Sequence, residues 1–263
     1  MQLLKGIRAV DLSLLIGDTL IISDVHIGFE EALNKQGILV PRDSFPMLIK
    51  RMEGIFSQLE DLTINKTNKK TPQKIKPLPI KPIKTIIING DLKHEFGTIS
   101  DQEWRHTLKF LDFLGRHCEQ VILVRGNHDR ILGPIARKRG IGIHDFFFIE
   151  GHKALVCHGD RLPPEGMMQK SKMIIIGHEH PSVALRSGQR VEKYKCFYAG
   201  SYRGTKLIVL PSLNPLTEGS ALMHDNVLSP FLKQKMDDFE VFLVEDKVYR
   251  FGKLGKLVKG EFV

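Results

Sequence analysis

The chain has 263 residues, with 39 Lys and Arg against 30 Asp and Glu, a formal net charge of +9 and a pI near 9.4. Its 42% apolar and 26% charged composition excludes a wholly disordered or collagen-like chain, and the length allows a large core without a disulfide or structural metal. The longest uncharged run, 207–217, holds 11 residues, well short of the ~20 that cross a bilayer, so no membrane association is expected.

In chain order, Asp11, Asp18 and Asp24 interrupt the early apolar stretches, which argues against a leader peptide. A β-branched run at 20–23 predicts the first strand. Leu48, Met52, Ile55 and Leu59 fall on one helical face, with Asp43 or Ser44 as the cap before Pro46. Between Leu62 and Gly90 there is no Asp or Glu, while Lys66, Lys69, Lys70, Lys74, Lys76, Lys81 and Lys84 alternate with Pro72, Pro77, Pro79 and Pro82. Prolines remove donors and like charges repel, so a flexible surface insertion is expected at about 62–84. It reads either as a tether for phosphate backbones or as a solvated insertion; no aromatic residue among the lysines offers a base-stacking face.

A second strand is predicted at 85–89, followed by a capping box from Ser100 to Glu103 that opens a helix with the stripe Trp104, Leu108, Leu111 and Leu114. A third strand follows at 121–125, then a short helix over 131–138 starting near His128 and disturbed by Gly133 and Pro134. Beyond Gly151 strands dominate, at 154–157, 173–176, 197–199, 206–210 and 241–244. The order predicts one layered α/β domain over 1–263 with a mixed sheet. Cys118, Cys157 and Cys196 lack CxxC spacing and fit reduced thiols, hence a cytoplasmic location.

Polar residues gather directly behind five of the apolar runs: Asp24 and His26; Gly90 and Asp91; Gly126, Asn127, His128 and Asp129; His158 and Asp160; Gly177, His178, Glu179 and His180. Ligands bind α/β sheets at the carboxyl ends of strands, where loops converge. Buried imidazoles and carboxylates need partners, and a divalent cation satisfies several at once. Any one of these sets is a weak signal, but five in order, each behind its own strand, are a strong one.

This ordered set resembles the calcineurin-like metallophosphoesterase superfamily from Asp24 to His180. Asp24 to Gly28, Gly37, Pro41, Gly90 to His94, and the Pro-Ser-Leu-Asn-Pro stretch at 211–215 are similar to the archaeal SbcD-related phosphoesterases and their ligase-associated bacterial relatives, over about residues 20–220. The resemblance implies a four-layer α-β-β-α sandwich with two mixed sheets. It implies one cation on Asp24, His26, Asp91 and His180, and a second on Asp91, Asn127, His158 and His178, with Asp91 shared. Nitrogen and oxygen donors without thiolate favour Mn most, with Fe, Zn or Ni open. A water ionised between the two cations would attack phosphorus in line. His128 would stabilise the transferring oxygens or protonate the leaving group, and Asp129 would orient its imidazole and keep it charged.

Other residues are less committed. His94 reads as a substrate contact or a partner behind the ligands, Lys93 as a phosphate contact or a solvated lysine, and Arg161 as a phosphate contact. Asp160 reads as a loop acceptor and Glu179 as a solvent-facing or supporting residue. His106, His117, His144, His152 and His224 read as ordinary histidines, and Asn214 to Gly219 as turn chemistry at the cleft rim.

The leading functional reading is a two-metal phosphodiesterase, with DNA or RNA as the partner that the lysines favour. A phosphomonoesterase or nucleotide phosphoesterase, and a non-catalytic scaffold, are the alternatives. The superfamily's Ser/Thr protein phosphatases carry Asp-Arg-Gly soon after the bridging aspartate, whereas Asp91 here runs into Leu92, Lys93 and His94. No dimer seam is obvious, and homodimerisation stays open.

Overall fold

The protein is described by a computed structural model over residues 1–67, 83–187, 190–221 and 227–258. The core of the lysine-rich segment, 68–82, and His224 lie outside the described residues. Two mixed sheets face each other. The first runs in strand order β1 (Gln2–Leu4), β2 (Ile7–Val10), β3 (Ser13–Ile16), β4 (Thr19–Ser23), β5 (Thr85–Asn89), β6 (Gln120–Val124) and β7 (Gly142–His144). The first four strands are antiparallel neighbours, and β4 to β7 are parallel.

The second sheet is built from β8 (Phe146–Ile149), β9 (Ala154–Cys157), β10 (Met173–Ile176), β11 (Pro181–Ser187), β12 (Arg190–Tyr202), β13 (Thr205–Val209), β14 (Ser220–Ala221), β15 (Glu240–Val244) and β16 (Val248–Lys253). Its order is β14-β11-β12-β13-β10-β9-β8, with β15 pairing β12 and β16. The helices are α1 (Phe29–Lys35), α2 (Ser44–Thr67), α3 (Asp101–Gly115), α4 (Gly133–Arg137), α5 (Glu165–Lys170) and α6 (Leu254–Val258).

Period-two alternation builds the layers. Val156, Ile175 and Ile208 join the first sheet and the α2 and α3 stripes in one cluster. Their neighbours Leu155, Ile174 and Leu207 point the other way, into a second cluster with Met168 of α5 and Leu254 and Leu257 of α6. The result is a helix–sheet–sheet–helix sandwich. The apolar runs are buried on both faces, as continuous strand hydrophobicity requires. Cys118, Cys157 and Cys196 are buried and form no disulfide. None of the described helices is long and apolar enough to cross a membrane.

Three expectations are corrected. Residues 62–67, placed in the insertion, continue α2, whose Leu48, Met52, Ile55 and Leu59 are buried as predicted. The helix expected over 131–138 is confined to α4, with Pro134 in its first turn where a missing N–H costs nothing. Ser100 does cap α3, accepting from the Glu103 amide at 3.0 Å, but the Glu103 carboxylate turns away to accept from the amides of His94 and Glu95 at 2.8 and 3.0 Å. The β1–β3 meander carried no strong sequence signal; its turns rest on left-handed Gly6, Asp11 and Gly17, with φ of 81°, 50° and 60°.

Candidate metal centre

The five polar sets stand at the carboxyl ends of β4, β5, β6, β9 and β10 and converge on one rim. Asp24, His26, Asp91, His178 and His180 have φ of 53°, 46°, 47°, 66° and 48°. A non-glycine residue with positive φ is uncommon and costs of order 1–3 kcal/mol, so it persists only where the surroundings over-determine it. These turns let side chains two residues apart leave the strand ends in different directions, so that His178 and His180 enter different groups.

The bonds that hold the first turn come from far along the chain. Ser212 Oγ donates to the Asp24 carbonyl at 2.7 Å, and Asn214 Nδ2 donates to the Val25 and His26 carbonyls at 2.8 and 3.1 Å. Lys195 Nζ in turn donates to the carbonyls of Ser212, at 2.9 Å, and Asn214, and to Thr217 Oγ1 at 3.3 Å. The 211–215 stretch is therefore a buried brace under the site. Lys195 was missed in the sequence because a lone lysine in a strand looks solvated; burial pushes its ammonium down to about 7, with Arg51 adding to the effect.

Glycine is required where the loops cross. A Cβ on Gly126 would lie 2.1 Å from Asp91 Oδ1 and 2.4 Å from its backbone N. One on Gly177 would lie 1.9 Å from Ser23 Oγ and 2.4 Å from Asp24 Oδ2.

His26, His94 and His128 form a group of imidazoles alone, and two neighbouring groups each contain a carboxylate. In one, His26 Nε2 and His180 Nε2 face each other at 3.3 Å, with Asp24 Oδ1 3.4 Å from the latter. In the other, His178 Nδ1 and His158 Nε2 face each other at 3.1 Å, and Asn127 Oδ1 lies 2.9 Å from the same His158 nitrogen. Asp91 Oδ2 lies between the groups, 3.3 Å from His158 Nε2 and 3.7 Å from His26 Nε2. All seven predicted ligand residues are thus brought together.

A cation suits this arrangement. Asp24 Oδ1 and His158 Nδ1 are buried without any hydrogen-bond partner, although Asp24 Oδ2 accepts from Ser23 Oγ at 2.6 Å and from the His178 amide at 3.0 Å. Burial works to raise the Asp24 carboxyl, but His180, His158 and His26 hold it below the usual carboxylate range. Burial, with His180, drives His26 down to about 3, a neutral imidazole with a lone pair to offer. The donors are nitrogen and oxygen, with no thiolate among them.

His128 sits beside these groups with its amide bonded to Asp91 Oδ1 at 2.9 Å and Nε2 3.9 Å from Asp91 Oδ2. Its Nδ1 meets the His94 carbonyl, not Asp129. The orienting role expected of Asp129 is therefore corrected. Its buried carboxyl accepts from the amides of Gly126, Leu92 and Lys93 at 3.1, 3.3 and 3.4 Å, tying the β5 and β6 loops together, and burial raises it to about 7.

Lys93 is also corrected: it is fully buried, its ammonium bonded to the carbonyls of Glu95 and His128, out of reach of a substrate phosphate. His94 does reach the cleft, 3.4 Å from His26 Nδ1, with burial and His128 lowering it to about 4. Arg161 does not; it pairs with Asp145 at 3.1 Å and lies over Phe146. Glu179 is buried between His178 and His180 and accepts from the amides of Leu228 and Ser229, at 2.8 Å for the latter, which fixes another wall of the cleft. His106 and His117 stack on Phe45 and Phe56, away from the cleft.

The cleft above the groups has a volume of about 330 Å³ and is lined by His26, Phe29, Asp91, His94, Asn127, His128, His178, Glu179, His180, Thr217, Ser220 and Leu228. Among the described residues, no Arg or Lys lines it.

Comparison with solved structures finds the fold elsewhere. The nuclease MPE of Pseudomonas putida superposes with a TM-score of 0.56 at 18% identity, covering 92% of both chains. Vacuolar protein sorting 29 of Cryptosporidium parvum (TM-score 0.37, 13% identity, 89% of this chain and 97% of that one) and a predicted phosphoesterase of Streptococcus pneumoniae (0.30, 13%, 88% and 91%) match too weakly to carry weight. No curated protein sequence matches the chain. The sequence model of the calcineurin-like phosphoesterases matches residues 18–252, a span that includes every strand-end set above, and the chain belongs to that family.

Proposed function

We propose that this chain is a two-metal-dependent phosphodiesterase acting on DNA or RNA. The observation that carries the reading is the doubled group. Two facing imidazole pairs, one beside Asp24 and the other beside the Asn127 carboxamide, with Asp91 between them, open onto a cleft that no Arg or Lys lines among the described residues. One cation is assigned to Asp24, His26, Asp91 and His180, the other to Asp91, Asn127, His158 and His178, with Mn first and Fe, Zn or Ni as alternatives. A pair of divalent cations supplies Lewis acidity and a lowered water pKa, the two needs of an in-line displacement at phosphorus.

The chain's own residues supply the rest. The His94 carbonyl accepts only, so it fixes His128 Nδ1 as a donor and leaves Nε2 facing the cleft. His128 acts as the imidazolium: it hands its Nε2 proton to the departing oxygen and is left neutral, with Nδ1–H still donating to the His94 carbonyl. Asp129 acts at one remove, holding the two loops that carry Asp91, Asn127 and His128 in register.

A monoester arrives as a dianion, which proteins commonly meet with guanidinium or ammonium groups. A cleft lined without them suits a diester, which bears a single charge. The shared fold with a nuclease and the lysines of 66–84 favour a nucleic-acid backbone as that diester. Elemental analysis of purified protein, then Mn-dependent hydrolysis of bis(4-nitrophenyl) phosphate against 4-nitrophenyl phosphate, tests the reading. Two equivalents of bound transition metal and faster diester turnover are expected; a faster monoester would move the assignment to phosphomonoesterase, and absence of metal to a scaffold.

A further inference from the structure

The loop between Asp91 and α3 puts Phe96 against His128, one of the residues that line the cleft. Its ring stacks on His128 with centroids 3.7 Å apart and planes inclined at 30°. Yet 48% of the residue is exposed, and it joins neither hydrophobic cluster. Area left in water stabilises nothing, so packing alone does not account for an aromatic ring here. Phe29 adds a second aromatic face to the cleft, 4.7 Å from His94, and Leu228, 63% exposed, an aliphatic one. With no Arg or Lys among the described lining residues, these faces are what the protein offers to the organic part of a substrate.

We propose that Phe96 is a stacking platform for the nucleobase next to the scissile phosphate. The proposal rests on the phosphodiesterase reading and names what that diester carries. His128 covers one face of the ring, and a purine or pyrimidine laid on the other extends the stack to three rings. Every base has a π face, so such a platform binds nucleotides without selecting a sequence. It sets the phosphate beside His128 through the His128–Phe96 contact itself.

The test compares two diesters with the same leaving group, thymidine 5′-(4-nitrophenyl phosphate) and methyl 4-nitrophenyl phosphate, in the Mn-loaded enzyme. Phe96→Ala should raise KM for the nucleoside ester about 5–150-fold more than for the methyl ester, the range that base–aromatic stacking commands. Phe96→Leu, which keeps the bulk but not the π face, should recover only part of this. Binding of a short fluorescent oligothymidylate, read by anisotropy in Ca²⁺ so that turnover is not needed, should weaken by a similar factor in Phe96→Ala. If both esters lose equally through kcat, Phe96 only restrains His128 and the platform is overturned. Unchanged oligothymidylate affinity overturns it as well. A wild type that hydrolyses neither ester but binds the oligonucleotide through Phe96 would instead overturn the phosphodiesterase reading and leave the platform standing.

Discussion

Replacing Asn214 by Ala separates the brace under the metal centre from the centre itself. The side chain is buried and makes three hydrogen bonds: two from Nδ2 to the Val25 and His26 carbonyls at 2.8 and 3.1 Å, and one to Oδ1 from the Leu216 amide at 2.8 Å. Each buried group left unpaired costs about 1–3 kcal/mol, and since neighbours are not additive the total is set at about 2–4 kcal/mol. Against this stands the left-handed backbone at Asp24 and His26, which stores about 1–3 kcal/mol per residue. The two quantities are of the same size, so without Asn214 the Ser212 bond and the amide bonds of Asp24 and His26 to the Gly90 and Asp91 carbonyls hold the turn less firmly. Thermal melting should fall by about 4–16 °C, from roughly 2–4 °C per kcal/mol in a domain of this length. Calorimetric titration with Mn²⁺ should show one of two sites weakened at least tenfold, the one containing Asp24, His26 and His180. A variant that melts lower but binds two equivalents with wild-type affinity would refute the link between brace and site.

His128→Gln should lower kcat by about 10²–10⁴-fold while metal content holds if the proposed proton exchange is its role; loss of metal in this variant would make it a ligand with His26 and His94 instead. Gly126→Ala places a methyl 2.1 Å from Asp91 Oδ1 and 2.4 Å from Asp91 N, so the Asp91 carboxylate has to move, and metal content and turnover should collapse together. Retention of both would show that the loop yields. Lys195 has a folded pKa near 7, below the ordinary lysine value of 10.5, because burial disfavours its charge. From about pH 7 to 10 the unfolded chain keeps a proton the folded one has lost. Stability of the wild type relative to Lys195→Met should therefore rise with pH across that window, by at most about 1.4 kcal/mol per unit. A flat difference in urea midpoints would mean the buried amine is not titrating there. Deleting 68–82 should flatten the salt dependence of DNA binding if the lysines meet phosphates, each neutralised phosphate contributing about −0.9 to the log–log slope for duplex DNA; an unchanged slope would make the segment a bystander.

Much of the architecture is written locally. Runs such as Thr85–Asn89 and Met173–Ile176 are apolar on both faces and so declare buried strands, and Ser100 announces the start of α3 three residues before the amide it caps. The residue types that answer to a cation stand directly behind those runs, which is why the candidate ligands were visible one strand end at a time. What no stretch of sequence contains is the direction in which each side chain leaves its strand. That is decided by contacts such as Ser212 to Asp24, 188 residues apart, and His178 to Asp24, 154 apart. The same distance hides Lys195 beneath the site, turns Glu103 from its own helix cap to the His94 loop, takes Asp129 from the imidazole to three amides, and pairs Arg161 with Asp145 outside the cleft. Backbone preference and hydrophobicity act between neighbours in the chain and so can be read along it, whereas strained turns and buried charges are fixed only once remote segments close around them.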